Sequence, residues 1–153
     1  MKFRFACVIA LGLSACGQAE SNLIAPSYII ANTIPTPLTD QPGDASIGKA
    51  IFAEREQGHC VLCHAITDLD ASFQGNVGPD LSDIGMRLTP AQIRLRIVDA
   101  SRVNPETVMP PYYRTQRLNQ VATAYAGTPM LPAQDIEHLV AYLTSQTGQE
   151  TDE

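Results

Sequence analysis

The residues best suited to chemistry lie together in His59-Cys60-Val61-Leu62-Cys63-His64. Two thiols three positions apart on one helical turn can both form thioethers to the vinyl groups along one edge of a porphyrin. A histidine directly after the second thiol then stands beneath the ring, where an imidazole nitrogen can bind iron. Cys60, Cys63 and His64 therefore read as the attachment residues of one haem c, with His64 as an axial ligand. Paired cysteines serve two other chemistries. A structural zinc site needs two further ligands, and no second cysteine pair follows downstream. A thiol–disulfide redox pair needs a strand–helix context that the flanking sequence lacks, and it leaves His64 without a purpose.

One axial position remains, with Met86, Met109, Met130, His59 and His138 as candidates. His59 abuts the attachment motif and cannot reach the opposite haem face. His138 falls on the last helix, where a surface or interface position suits it, and Met86 suits a small packing role. Met109 stands in Val108-Met109-Pro110-Pro111-Tyr112-Tyr113, where the prolines stop helix propagation and stiffen a loop that can present sulfur to iron. Met130 also precedes a proline, Pro132, but leaves little loop to cross the ring. Met109 is the favoured sixth ligand; the other reading makes it a core residue beside an open site. A thioether ligand stabilises ferrous iron and raises the potential relative to two histidines.

Helices must position these groups. The first begins at Asp44 or Ser46, either of which can cap it, and runs through Phe52, with Ile47, Ile51 and Ala50 as its apolar stripe. Gly48 and Phe52, four apart, share a face, and a glycine inside a helix implies a close crossing by another helix. The natural partner is the last helix, Ala133 to Gln146, whose Ile136, Leu139, Val140 and Leu143 fall at helical spacing with Tyr142 beside them. Thr89-Pro90 opens a third helix running to about Ala100, with the threonine as cap and Ile93, Ile97 and Val98 inward. Its Arg94 and Arg96, with Arg87 and Arg102 at its ends, read as a solvated face; a haem propionate or a partner carboxylate is the other destination for one of them. Between Thr67 and Gly78 lies a polar loop with a Gly75-Asn76 turn. The pattern is all-α.

The flanks concern location. Lys2 and Arg4 precede a short apolar run from Phe5 to Leu13, a signal-peptide pattern over residues 1–15. Leu13-Ser14-Ala15-Cys16-Gly17 resembles a bacterial lipobox, which implies diacylglycerol on Cys16 and, with Gly17 following, an outer-membrane address; cleavage after Ala19 is the alternative. Either route exports the chain to the periplasm. Residues 16–43 carry Pro26, Pro35, Pro37 and Pro42 and read as a tether with a reach on the order of 90 Å. Leu23-Ile24 and Tyr28-Ile29-Ile30 are too apolar for a pure spacer, so part of it rests on the domain or on a partner. The domain then spans 44–147, and 148–153 form an acidic tail. The formal charge of −6 falls to −8 once Lys2 and Arg4 leave, which gives no electrostatic case for nucleic acid and favours a basic partner surface.

Gly48, Phe52 and Tyr142, with Gly78-Pro79-Asp80-Leu81, resemble the class I cytochromes c, in which terminal helices cross at a glycine and an aromatic. That resemblance implies that the Pro79 carbonyl accepts the second imidazole N–H of the proximal histidine, here His64, and fixes its ring. A narrower likeness lies in Gly58 to His64, Phe73 to Pro79, Leu88 to Arg96, Val108 to Tyr113 and Ile136 to Leu143. Jointly they resemble the SoxX family, the monohaem subunits of SoxAX in bacterial thiosulfate oxidation. The resemblance implies a heterodimer with SoxA, whose own haem and modified cysteine carry out the oxidative joining of thiosulfate to a carrier cysteine on SoxYZ. The present chain would accept electrons from SoxA and relay them to a soluble cytochrome c. With Cys16 lipidated, the mature chain holds no spare thiol for sulfur chemistry, and no nucleophile–base pair is apparent. A lipid anchor would depart from the many soluble relatives. A free-standing electron shuttle and a ligand-binding enzyme or sensor are the competing functions.

Overall fold

The computed structural model describes residues 28–56, 58–67 and 69–148. The signal segment, Cys16, Leu23-Ile24 and the chain beyond Gly148 lie outside them. Four α-helices carry the described fold: α1 (Ala45–Ala53), α2 (Ile84–Arg87), α3 (Pro90–Asp99) and α4 (Ala133–Thr144). The ordered pairing outside helices is a single bridge between Ile30 and Thr33 among the described residues. The class is all-α, as the periodicity predicts.

Local chemistry sets the helix starts. The Asp44 carboxylate accepts from the N–H groups of Ser46 (2.8 Å) and Ile47 (3.2 Å) and from the Ser46 hydroxyl. The hydroxyl bond and then the backbone bonds favour the ionised form and hold this carboxyl below the usual carboxylate range. At α3, Thr89 and Gln92 cap each other reciprocally with Pro90 in the first turn.

The core is organised by the α1–α4 crossing. A Cβ on Gly48 would run into the carbonyl of His138, so the two backbones touch where no side chain intervenes. Beyond the crossing point, Phe52 and Tyr142 meet edge to face with centroids 5.8 Å apart, and both are buried. Ile51 joins this face, but Ile47 is 45% exposed and does not belong to the buried stripe. The close approach at Gly48 rotates α1 so that 48, 51 and 52 face inward. Ile136, Leu139, Val140 and Leu143 are buried as their spacing predicts, and Ile93, Leu95, Ile97 and Val98 of α3 pack behind them. Met86 is 72% exposed, so the packing role expected for it is not what the fold provides.

Arg94 is the main correction. It is not on a solvated face: only 5% exposed, it forms a two-pronged ion pair with Glu137 of α4, Nε to Oε1 at 2.7 Å and Nη2 to Oε2 at 2.8 Å. The pair also holds the preceding chain. Arg94 Nη1 donates to the Ile34 carbonyl (2.8 Å), the Leu38 N–H donates to Glu137 Oε1 (2.9 Å), and the Ile34 N–H donates to the Ala91 carbonyl (3.0 Å). Ile34 itself is 1% exposed. Residues 34–43 thus form a strap across α3 and α4, preceded by a tight turn in which Ala31 and Asn32 adopt left-handed φ. Ile34 and Leu38 of the strap pack on the domain. Of the apolar residues expected to rest on the domain or a partner, Ile29 packs partly against the core, whereas Tyr28 and Ile30 are exposed.

Candidate haem site

The Cys60–Leu62 segment is one 3₁₀ turn, entered through His59 with φ 58. Both the Cys63 N–H (3.1 Å) and the His64 N–H (2.9 Å) donate to the Cys60 carbonyl, which gathers the two sulfurs and the imidazole onto one coil of backbone. Val61 is fully buried and pins that coil to the core, while Cys63 is exposed and Cys60 half-buried at the rim. Burial pushes the Cys60 thiol up to about 12. A redox dithiol requires the opposite shift, toward thiolate at neutral pH, so the environment disfavours disulfide exchange. Burial likewise raises the hydroxyl of Tyr112, which neighbours Cys60 and was not singled out by sequence.

A loop from Phe73 to Leu81 wraps the coil. The Gly75 N–H donates to the Val61 carbonyl (2.9 Å), Gly78 N–H to Cys63 (2.8 Å) and Leu81 N–H to Ala65 (2.9 Å). Gln74 braces it from inside, accepting from the Ile66 N–H (2.7 Å) and donating to the Leu69 carbonyl (3.0 Å). A side chain at Gly75 would collide with the Leu62 carbonyl, and one at Gly78 with the His64 ring. That absence of a Cβ lets Pro79 reach the imidazole. His64 Nδ1 lies 2.7 Å from the Pro79 carbonyl oxygen. A carbonyl can only accept, so Nδ1 carries the proton and the Nε2 lone pair is left for a metal. The donor set of two rim sulfurs and one oriented imidazole fits an iron porphyrin.

Met109 lies on the loop that leaves α3. It is half-buried against the core, and its N–H donates to the Thr107 hydroxyl (3.1 Å). The following prolines lead into Tyr112 and Tyr113, whose N–H groups donate to the carbonyls of Ile97 (3.1 Å) and Val98 (3.3 Å), while the Tyr112 carbonyl accepts from Leu131 (3.1 Å). The segment is therefore clamped between the end of α3 and the start of α4. Met130 is 43% exposed. The His138 ring is engaged elsewhere: its Nδ1 accepts from the Asp44 N–H at 2.8 Å.

The family model described as Cytochrome c matches residues 45–147. A chain of the crystal structure of SoxXA from P. pantotrophus aligns with 30% identity and a TM-score of 0.73, over 81% of this chain and 98% of that one. The c-type cytochrome SorU from Sinorhizobium meliloti aligns at 23% identity and a TM-score of 0.45, over 69% of this chain and 92% of that one. No curated protein sequence matches.

Proposed function

The chain belongs to the cytochrome c family and carries a covalent haem c in an electron-transfer role, and from that premise we propose that it is the SoxX-type subunit of a thiosulfate-oxidising complex. The observation that carries the proposal is the likeness over 98% of a SoxXA chain. That structure is of SoxXA, and SoxA is the partner proposed here.

The haem supplies a one-electron iron couple. The residues do the rest. Cys60 and Cys63 bind it covalently, so the relay never loses its cofactor. His64 would hold the iron through Nε2, and Pro79 fixes the ring and raises its basicity through the Nδ1–H bond. Met109 would supply a thioether to the iron from its clamped loop. With both residues bound, the iron would have no open position for substrate, which suits a relay and leaves the sulfur chemistry to SoxA. Joining thiosulfate to a thiol of SoxYZ releases two electrons, so a one-electron subunit would be loaded twice per event, each electron leaving to a soluble cytochrome c before the next arrives. Lipid on Cys16 would tether the complex in the periplasm, at the outer membrane.

Coexpression with SoxA provides the test. The chains should copurify, and the haem of this subunit should be reduced by thiosulfate only when SoxYZ and SoxA are both present. A chain that purifies alone beside an independent SoxA would favour a free-standing shuttle instead.

A further inference from the structure

Asp99 is a buried carboxylate, 4% exposed, that the relay chemistry does not use. It ends α3, and its two oxygens are divided between two tasks. Oδ1 accepts from the N–H (3.2 Å) and hydroxyl (2.5 Å) of Ser101, which turns the chain out of the helix. Oδ2 faces two cations, with Arg102 Nε at 3.5 Å and Arg114 Nε at 2.9 Å, the latter an ion pair off the line of a good hydrogen bond. Arg114 reaches onward, and its Nη1 donates to the carbonyls of Gln116 (2.7 Å) and Arg117 (2.8 Å). Arg117 has φ 53, a left-handed backbone that needs such outside support.

We infer that Asp99 and Arg114 are positioning residues for the Met109 loop: a buried anion at the end of α3 holds the arginine that ties down the chain just beyond Met109-Pro110-Pro111. The inference rests on Met109 being the sixth ligand. On the Met109 side of Arg114, the loop is fixed to α3 by the Tyr112 and Tyr113 amides. On the far side, residues 119–128 are exposed throughout, so Arg114 is the last firm tie before a long solvated stretch. The contrast with Arg102 is informative. Arg102 touches the same carboxylate oxygen, but it lies on the turn at the end of α3 and holds nothing in the loop. Loss of Arg114 should therefore loosen the sulfur, whereas loss of Arg102 should not.

The experiment uses the haem-loaded chain and reads displacement of the native sixth ligand by imidazole in the ferric state, followed through the sulfur-to-iron charge-transfer band. Arg114→Gln should bind imidazole about tenfold more tightly than the wild type, the ratio that matches a lost charge-assisted contact. Arg102→Gln should match the wild type, and Arg114→Lys should fall between because an ammonium cannot bridge the carboxylate and both carbonyls. Asp99→Asn should follow Arg114→Gln; if it fails to load haem, the Arg114 series still decides. Urea midpoints for the same proteins separate loop release from global loss of stability, since a merely structural role would lower the Arg114→Gln midpoint while leaving its imidazole affinity at the wild-type value. Equal imidazole affinity in Arg114→Gln and the wild type, with the band present in both, overturns the positioning role and leaves Met109 as the ligand. Absence of the band in the wild type overturns the Met109 ligation itself.

Discussion

Replacing Glu137 with Leu should destabilise the protein severely, and replacing Arg94 as well should return much of the loss. The carboxylate is 5% exposed and accepts from Arg94 Nε, Arg94 Nη2 and the Leu38 N–H. Removing it strands a guanidinium in the core with the Ile34 carbonyl as its remaining hydrogen-bond partner. Breaking a buried pair from one side costs about 3–5 kcal/mol, because the surviving charge keeps its desolvation penalty without its counterion. In the double variant Arg94→Met with Glu137→Leu no charge remains buried. What is lost is the tie to the strap, two hydrogen bonds at roughly 1 kcal/mol each. The double variant should thus be more stable than Glu137→Leu alone, by about 1–3 kcal/mol. Urea unfolding of the haem-loaded protein measures this. A second readout is proteolysis between residues 34 and 43, which should accelerate in both variants because both release the strap. Additive effects of the two single changes, or a strap that stays protected in Glu137→Leu, would refute the reasoning.

Other expectations follow from single contacts. Gly48→Ala places a methyl against the His138 carbonyl and must part α1 from α4; it should cost at least about 1–3 kcal/mol in urea unfolding, and an unchanged midpoint would contradict the close crossing. Gly78→Ala should turn the His64 ring away from Pro79, weaken the Nδ1–H bond and raise the reduction potential, because a less basic imidazole stabilises ferric iron less; redox titration checks the direction. Asp44 has a depressed folded-state pKa, so its contribution is present above the ordinary carboxylate range and is lost as pH falls through the lower folded-state value. Asp44→Ala should therefore lose stability at neutral pH and show a flatter acid limb than the wild type in thermal unfolding.

Some of this was legible in the chain because the chemistry is local. Thioether attachment fixes the spacing of Cys60, Cys63 and His64 within a single turn, and the capping of α3 is written in Thr89 to Gln92. The helix crossing was legible because a glycine beside an aromatic one turn away has few other uses. Arg94 was not, since its partner lies 43 residues on and the pairing exists only once α3 lies against α4. A signal was present in Glu137, an acidic residue set between Ile136 and Leu139 on the buried stripe of α4. The strap was hidden for the same reason: proline-rich sequence without a period gives no sign that its backbone will hydrogen-bond to a buried ion pair. Ile47 illustrates the reverse error, an apolar residue at plausible spacing that the backbone contact at Gly48 turns toward solvent.

The central claim is that one haem is held between His64 and Met109 for electron transfer. Near-infrared magnetic circular dichroism of the ferric, haem-loaded chain tests it most directly. A low-spin signal with the sulfur-to-iron charge-transfer band, abolished by Met109→Ala and kept by Met130→Ala, is the predicted result. A high-spin signal, or a band lost in Met130→Ala and retained in Met109→Ala, would contradict it.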